Sequence, residues 1–435
     1  MVKDGVVHGR FLLLYITFLS TFAKKPVIVI FHLKTADVLI IGGGPAGLFA
    51  AIHCKGRKVI VLEKNAMPGK KLLISGTGRC NLTHDCKLSD FFSHYGVNHR
   101  FLKTALHGFT NTDLVRFFED NGLETVVDKN GKVFPAAQKA SDVLQVLLDV
   151  CKKNKVEIAC NQQVEVIIKT ESGFEVKTNT GIFSARFIVI TTGGMSYPTT
   201  GSTGDGYHFA KQLGHSIVPP KPSLSPVFIR GYSMASISGV SLQDKMICLY
   251  RGNKKTNEHR GDIGFTHKGL SGPGILDFSR HILSSDILKV NFIDLNADDF
   301  RNELIRVSDK DGKTALQTYL KKFDLPRSLV LLTLQSIQVE PEIRLADITK
   351  SQRIQLVSAL CEFSFVVEKV GGFNTAMVTA GGVSLEEINS KTMESKLVPR
   401  LYFAGEVLDI DGDTGGYNLQ AAFSMGYLVG KELGG

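Results

Sequence analysis

Cysteine is scarce in this sequence and nowhere arranged for metal or disulfide chemistry. The seven cysteines, Cys54, Cys80, Cys86, Cys151, Cys160, Cys248 and Cys361, are odd in number and scattered, with no C-x-x-C. That pattern argues against a zinc site and a dithiol redox pair, and it points to a reducing, cytoplasmic compartment. Cys80, His84 and Cys86 are neighbours, but two thiols and one imidazole lack a fourth ligand, so no metal is expected. Long apolar runs are lacking too. Phe11–Ala23 is thirteen residues, short for a bilayer span, although Arg10 before it and Lys24-Lys25 after it give it the look of a signal-peptide core. Residues 1–34 are set apart as an extension outside the fold, and no stable membrane association is expected. Strong charge of one sign is also missing. The net charge is +9, but Lys3, Arg10, Lys24, Lys25 and Lys34 against Asp4 place +4 of it before residue 35. The remaining +5 is no nucleic-acid footprint. Residues 251–260, R-G-N-K-K-T-N-E-H-R, have no interleaved aromatics and read as a solvated hairpin tip. Tandem repeats and low-complexity tracts are absent. With 435 residues, 43 % of them hydrophobic and 21 % charged, the chain has the balance of a soluble globular protein with two or three domains.

What is present begins at Asp37. Asp37–Ile41 is an apolar run of strand length, and Gly42, Gly44 and Gly47 follow at G-x-G-x-x-G spacing, with Pro45 and Ala46 between them. Leu48–Cys54 reads as a helix, and Lys58–Leu62 as a second strand ending at Glu63. Gly42 permits the tight turn, Gly44 lets backbone approach a pyrophosphate, and Gly47 lets helix and strand pack closely. The helix N-terminus offers free N–H groups to phosphate. Glu63 stands where a carboxylate accepts from both ribose hydroxyls. This stretch alone leaves FAD and NAD(P) both open.

The next segment, Lys64–Thr83, mixes Gly69, Gly76 and Gly78 with Lys64, Lys70, Lys71, Arg79, Cys80 and Asn81. Such a loop brings amides and cations to a pyrophosphate and to the polar edge of a ring system. Asn111 or Thr112 is expected to cap a helix, Lys129-Asn130-Gly131 to turn a hairpin, and Ser141 to cap a second helix. Val156–Cys160 reads as a strand, after which Val164 falls where a third parallel strand meets an adenine. Residues 164–168, 174–178 and 181–183 look like an antiparallel excursion. Arg186–Ile190 is a buried strand ending at Thr192-Gly193-Gly194, where small residues let the chain pass close to a cofactor. From His215 the character changes, with Pro219, Pro220, Pro222 and Pro226 marking a boundary. A β-rich stretch and helices at Lys313–Gln335 and Thr349–Cys361 follow. The last 65 residues supply a strand at 374–379, another at Leu401–Ala404 running into Gly405, Glu406 and Asp409, and a glycine-led helix over Ala421–Gly430. Gly416, Tyr417, Asn418 and Leu419 open that helix.

Two cradles about 350 residues apart suit FAD, which needs one for its ADP half and one for ribitol and isoalloxazine. Glu406 and Asp409 reach the ribitol or pyrophosphate side. The N–H groups of Tyr417, Asn418 and Leu419 face the N1–C2=O2 edge, where negative charge gathers when flavin is reduced. No second complete G-x-G-x-x-G domain exists, so NAD(P)H would dock only transiently.

The chain resembles the BaiN-like family of FAD-dependent proteins, which includes aminoacetone oxidase. The likeness covers residues 36–434 and rests on I-G-G-G-P-A-G (41–47), G-K-K-L-L-I-S-G-T-G-R-C-N (69–81), T-G-G-M-S-Y-P-T-T-G-S-T-G-D-G (192–206), F-T-H-K-G-L-S-G-P (265–273) and Y-F-A-G-E-V-L-D-I-D-G-D-T-G-G-Y-N-L-Q (402–420). It implies an α/β fold: a Rossmann-like FAD-binding domain from both chain ends, 35–214 and 370–435, with a β-barrel-like and helical insert at 215–369. It also implies that Ala46, Glu63, Lys70, Lys71, Val164, Glu406 and Asn418-Leu419 lie against FAD. The expected activity is hydride transfer between a small organic or steroid-like substrate and flavin N5, with NAD(P)H or O2 completing the cycle. Family members differ in substrate, and catalytic residues are not readable; Cys80, His84, Tyr197 and His267 are candidates to face a flavin, although residues of these types are more often structural. A non-catalytic redox-responsive flavoprotein and an RNA-modifying flavoprotein are the alternatives; no nucleic-acid partner is expected on the first reading.

Overall fold

The computed structural model describes residues 33–434, so the apolar run at 11–23 lies outside the described residues. Val38–Ile41 and Val59–Leu62 are buried throughout, the mark of parallel strands covered on both faces. They belong to β1 (Leu33–Ile41) and β2 (Val59–Leu62). With β3 (Glu157–Ala159), β4 (Val164–Lys169), β5 (Phe174–Thr178), β6 (Ile182–Ile190) and β7 (Leu401–Phe403) they form one seven-stranded sheet. Its order is β3-β2-β1-β6-β5-β4, with β7 also on β6. Strands β3, β2, β1, β6 and β7 run parallel, while β5 is antiparallel to both β4 and β6. The helices α1 (Pro45–His53), α2 (Asp205–Gln212) and α3 (Tyr417–Leu433) complete the elements that frame the glycine loops. A Cβ on Gly426 of α3 would lie 2.5 Å from the Ala46 carbonyl, so α1 and α3 meet backbone to backbone.

Among the described residues, those up to Pro220, with Gly381 onward, form one compact unit; Lys221–Ala380 form another. The second holds a closed six-stranded barrel, taken round as Val227–Ile229, Gly269–Ser271, Lys254–Phe265, Ser241–Arg251, Ile287–Asn291 and Phe363–Val370. Ile247, Leu249, Ile263, Phe265, Leu288, Val290, Phe365 and Val367 alternate inward and are buried. Helices Ala297–Asp311, Leu316–Leu320, Arg327–Ser336 and Lys350–Cys361 belong to the same unit. Among the described residues no helix is long and apolar enough to cross a membrane.

Several elements differ from the sequence reading. Leu33 and Lys34 belong to β1 rather than to the extension, because they pair with Ile182 and Phe183. Residues 181–183 and 186–190 are one strand, β6, which exchanges β5 for β7 as its neighbour partway along. The first cap is Thr110, whose hydroxyl accepts from Asp113 N while Asp113 returns a bond to the Thr110 backbone, a capping box. The helix assigned to Ser141 starts at Ala140 with Lys139 as N-cap, and the Ser141 hydroxyl bonds Asp142 instead. Lys313–Gln335 is not one helix: Pro326 separates 316–320 from 327–336. The strand placed at 374–379 is Val378–Val383, because Thr375 and Ala376 turn back onto the Gly372 carbonyl. The last helix begins at Tyr417, four residues early.

Candidate functional site

The first cradle forms where β1 ends. Gly42, Gly44, Pro45, Ala46 and Gly47 carry the chain from β1 into α1, with Gly44 as N-cap and Pro45 in the first turn, a position where its missing N–H costs nothing. Thr191, at the end of β6, donates its hydroxyl toward the Ile41 and Gly42 carbonyls. Glu63 is 7 % exposed; its Oε2 accepts from Gly43 N at 2.9 Å and its Oε1 from Asn65 N and Nδ2 at 2.8 and 2.7 Å. Three of its four lone-pair sites are thus taken by protein, leaving one for a ribose hydroxyl instead of the two expected. Asn161 N and Gln162 N bond the carbonyls of Asn65 and Glu63, which brings the start of β4 and buried Val164 alongside.

The lysines expected against the cofactor are tied to a polar segment, 196–205. Lys64 Nζ lies 2.6 Å from both Thr203 Oγ1 and Asp205 Oδ2. Lys70 Nζ bonds the Thr199 carbonyl at 3.1 Å. Lys71 Nζ reaches Glu406 Oε2 at 2.7 Å and Ser196 Oγ at 2.5 Å, and Ser196 Oγ donates to Glu406 Oε1 at 2.9 Å. This triangle joins the loop after β2, the loop after β6 (Thr192, Gly193, Gly194) and the loop after β7 (Gly405, Glu406). Between Leu72 and Asn81 the backbone turns left-handed at Thr77 (φ 60°) and Cys80 (φ 59°), a conformation non-glycine residues adopt at a cost. Gly78 sits in the same turn, Arg79 lies 4.8 Å over the Phe134 ring, and Asn81 is half-buried. Cys80 is driven fully inside, and burial pushes its thiol up to about 12 despite a bond from Ser75. Burial of this kind disfavours the thiolate that nucleophilic chemistry needs.

The second cradle is the loop before α3. Asn418 clasps Gly412 twice, Oδ1 accepting from its N–H at 2.8 Å and Nδ2 donating to its carbonyl at 2.7 Å. Gly416 caps α3 at φ 97°, and Tyr417, Asn418 and Leu419 make up the helix's first turn. Asp409 is held by Asn98 Nδ2, which bonds its carbonyl at 2.7 Å and its carboxylate at 3.2 Å. Tyr95 OH bonds the Tyr417 carbonyl at 2.8 Å, and His94, bonded to Asp413 at 3.1 Å, stacks on the Tyr417 ring at 3.9 Å. His84 stacks on Tyr417 too, at 5.5 Å, and its Nε2 pairs with the Asn130 carbonyl. Burial lowers its pKa. Tyr197 adopts φ 51° ahead of Pro198, and His267 is an exposed turn residue of the barrel unit. Asn98 and Tyr95 are missed because no motif surrounds them, while Asn65 and Ser196 sit inside segments whose lysines and glycines draw the assignment.

These residues fit a flavin dinucleotide. A Cβ built on Gly44 meets no atom within 4 Å, so the α1 N-terminus opens onto space rather than protein. Buried Thr192 Oγ1 and Asn81 Oδ1 have no partner among the described residues, as expected of polar atoms that a bound ligand would satisfy.

The family described as HI0933-like protein Rossmann domain matches residues 36–432. The ribosomal RNA dihydrouridine synthase of Haemophilus influenzae is 32 % identical over 92 % of this chain and 98 % of its own length. The enzyme of the same name from Escherichia coli is 30 % identical over 91 % and 98 %. The 3-dehydro-bile acid delta(4,6)-reductase of Clostridium scindens is 30 % identical over 90 % and 97 %. With both glycine cradles present and the family matched over nearly the whole described length, the chain belongs to the HI0933-like Rossmann family and is an FAD-dependent oxidoreductase.

Proposed function

We propose that this enzyme reduces a carbon–carbon double bond conjugated to a carbonyl, and that the substrate is a uridine within RNA. The observation that carries the reading is chemical: a uracil ring and an unsaturated 3-oxo bile acid present the same C=C–C=O unit, and these are what the relatives' names specify. The RNA substrate departs from the small-molecule expectation and is favoured by two of those three names. When bound, FAD would supply hydride chemistry at N5 toward the carbon β to the carbonyl, a proton from solvent would complete the α carbon, and NAD(P)H would return the flavin to its reduced form.

The chain's own part is positional. The N-terminus of α1 would hold the pyrophosphate, and Glu63 would take a ribose hydroxyl. Val164 would cover the adenine side. The Lys71–Ser196–Glu406 triangle, with Asp409, would fix the ribitol side. The first turn of α3, Tyr417, Asn418 and Leu419, would put the helix's positive end at the N1–C2=O2 edge and favour the reduced cofactor's charge there. Lys64 and Lys70 act one step back, by holding residues 196–205 in place.

The test is anaerobic reduction of the yellow protein by NADPH, followed by mixing with a transcribed ribosomal RNA fragment or an unsaturated 3-ketosteroid. Return of flavin colour with RNA, and a uridine heavier by two hydrogens, is the expected result. Return with the steroid alone moves the assignment to a small-molecule reductase. Colour that returns with neither ends the double-bond reading.

A further inference from the structure

The barrel unit carries its positive charge in two different ways. Along Ser241–Arg251, Lys254–Phe265 and Ile287–Asn291 most cations are neutralised: Lys245 by Asp294, Arg251 by Asp286, Lys255 by Glu258, Arg260 by Asp244 and Asp294, and Lys289 by Glu362. The neighbouring wall differs. Arg230, Lys268 and Lys369 are exposed there, and none makes a side-chain ion pair among the described residues. We infer that this wall, centred on Phe228, is a docking surface for single-stranded or looped RNA. The inference rests on the RNA reading above and gives it a place on the protein.

The strand register brings the residues together. Val227 and Ile229 are buried in the core, so Phe228, partly exposed, faces outward, and exposed Arg230 follows just past the end of the strand. Phe228 lies directly opposite Lys369 on one neighbouring strand and Gly269 on the other. A bulge between Phe228 and Ile229 sets that register, and Lys369 Nζ sits 5.4 Å over the Phe228 ring. Lys268 precedes Gly269, and its carbonyl accepts from Ile229 N. The turn that presents His267 and Lys268 is rigid: Thr266 N and Oγ1 both bond the Gly269 carbonyl at 2.9 Å. Glu368, in the bulge, is the one carboxylate in these three segments beside the cations.

Three exposed cations around a partly exposed aromatic ring form the pattern that binds a nucleic-acid single strand, phosphates on the ammonium and guanidinium groups and a base against the ring. A membrane or an acidic protein would need no such ring between the cations. The sequence reading looked for this pattern at 251–260, where aromatics are lacking; the fold assembles it from residues about 140 positions apart, between Phe228 and Lys369.

The test uses full-length flavin-loaded protein and a fluorescein-labelled uridine-containing RNA stem-loop. Binding is read by anisotropy at several salt concentrations. The Arg230→Glu/Lys268→Glu/Lys369→Glu variant should bind at least tenfold more weakly. The slope of log affinity against log salt should flatten by about 2, three contacts at ~0.7 each. Phe228→Ala should cost about tenfold through lost stacking. Lys254→Glu, on the hairpin turn, should change little, and thermal melts with flavin absorbance confirm that each variant is folded. RNA binding that the triple variant retains in full overturns the surface while leaving the RNA reading standing. A wild-type protein that ignores RNA but reduces the unsaturated ketosteroid overturns both.

Discussion

At the residue scale, two glycines of one motif make opposite predictions. A side chain at Gly47 would place its Cβ 2.0 Å from the Gly42 carbonyl oxygen and 2.6 Å from Thr191 Oγ1. Backbone cannot move aside there, so Gly47→Ala should destabilise the apoprotein by about 2 kcal/mol or more, read as a lower melting temperature with or without added FAD. Gly44 is the reverse case. Its φ of −81° suits any residue, and a Cβ there meets no protein atom. Gly44→Val should therefore leave the apoprotein's melting temperature nearly unchanged while abolishing flavin retention on gel filtration. A yellow Gly44→Val protein would show that the pyrophosphate lies elsewhere. Lys71 makes a third case. Its ammonium serves Glu406, whose side chain is 20 % exposed, so Lys71→Met takes the balancing charge from a mostly buried carboxylate that keeps its Ser196 bond. The expected cost is about 1–2 kcal/mol together with weaker flavin binding, and Lys71→Arg should recover part of both.

At the scale of elements, the segment 196–205 is a strap fastened by lysines from the opposite loop. Lys64→Ala removes its bonds to exposed Thr203 and partly buried Asp205, so the stability loss should stay below about 1 kcal/mol. The rate of FAD release, followed by the rise in free-flavin fluorescence, should increase several-fold. An unchanged release rate with a normal melting curve would mean that the strap has no hold on the cofactor. The strap also shows what a sequence conceals. The fingerprint at 42–47 was legible because its strand, turn and helix are local and each glycine answers a local demand. The protein partners of the lysines at 64–71 are hidden in the sequence because they lie 125 to 335 residues downstream. Strand β6 was read as two pieces because Ser184-Ala185-Arg186 interrupts its apolar run, yet the sheet keeps it whole by giving each half a different neighbour. The start of α3 was placed late because D-G-D-T-G-G-Y-N has the composition of a loop, while Asn418 converts it into a helix entry by bonding back to Gly412. The barrel wall around Phe228 was invisible for the same reason as the strap: its charges meet only through strand pairing.

At the scale of the whole molecule, one unit is closed by joining both ends of the chain, and His215 is a fastening between them. Its ring is buried between Glu387 Oε2, 3.2 Å from Nδ1, and Ser395 Oγ, 2.9 Å from Nε2. Ser395 Oγ in turn accepts from Leu397 N and Val398 N, just ahead of β7. Burial lowers the imidazole's pKa below its ordinary 6.5, and the nearby Glu387 carboxylate offsets this only in part. Burial also works against charge on Glu387, but the bonds from Ser216 and the neighbouring His215 outweigh it and hold that carboxyl below 4.5. Both groups therefore take up a proton more readily when unfolded. For each, stability is fully present above the unfolded value and is lost as the pH falls through the lowered folded value. The histidine contribution fades below about pH 6.5 and the carboxylate contribution only below about pH 4.5, so the two separate on a pH axis. His53 and His84, also lowered by burial, act in the same direction as His215. The melting temperature should fall between pH 7.5 and 5.5, and His215→Gln should lower stability at pH 7.5 while making that fall shallower. A variant whose melting temperature tracks the parent's at a constant offset across this range would show that His215 is not protonated on unfolding, and the fastening would then owe nothing to its titration.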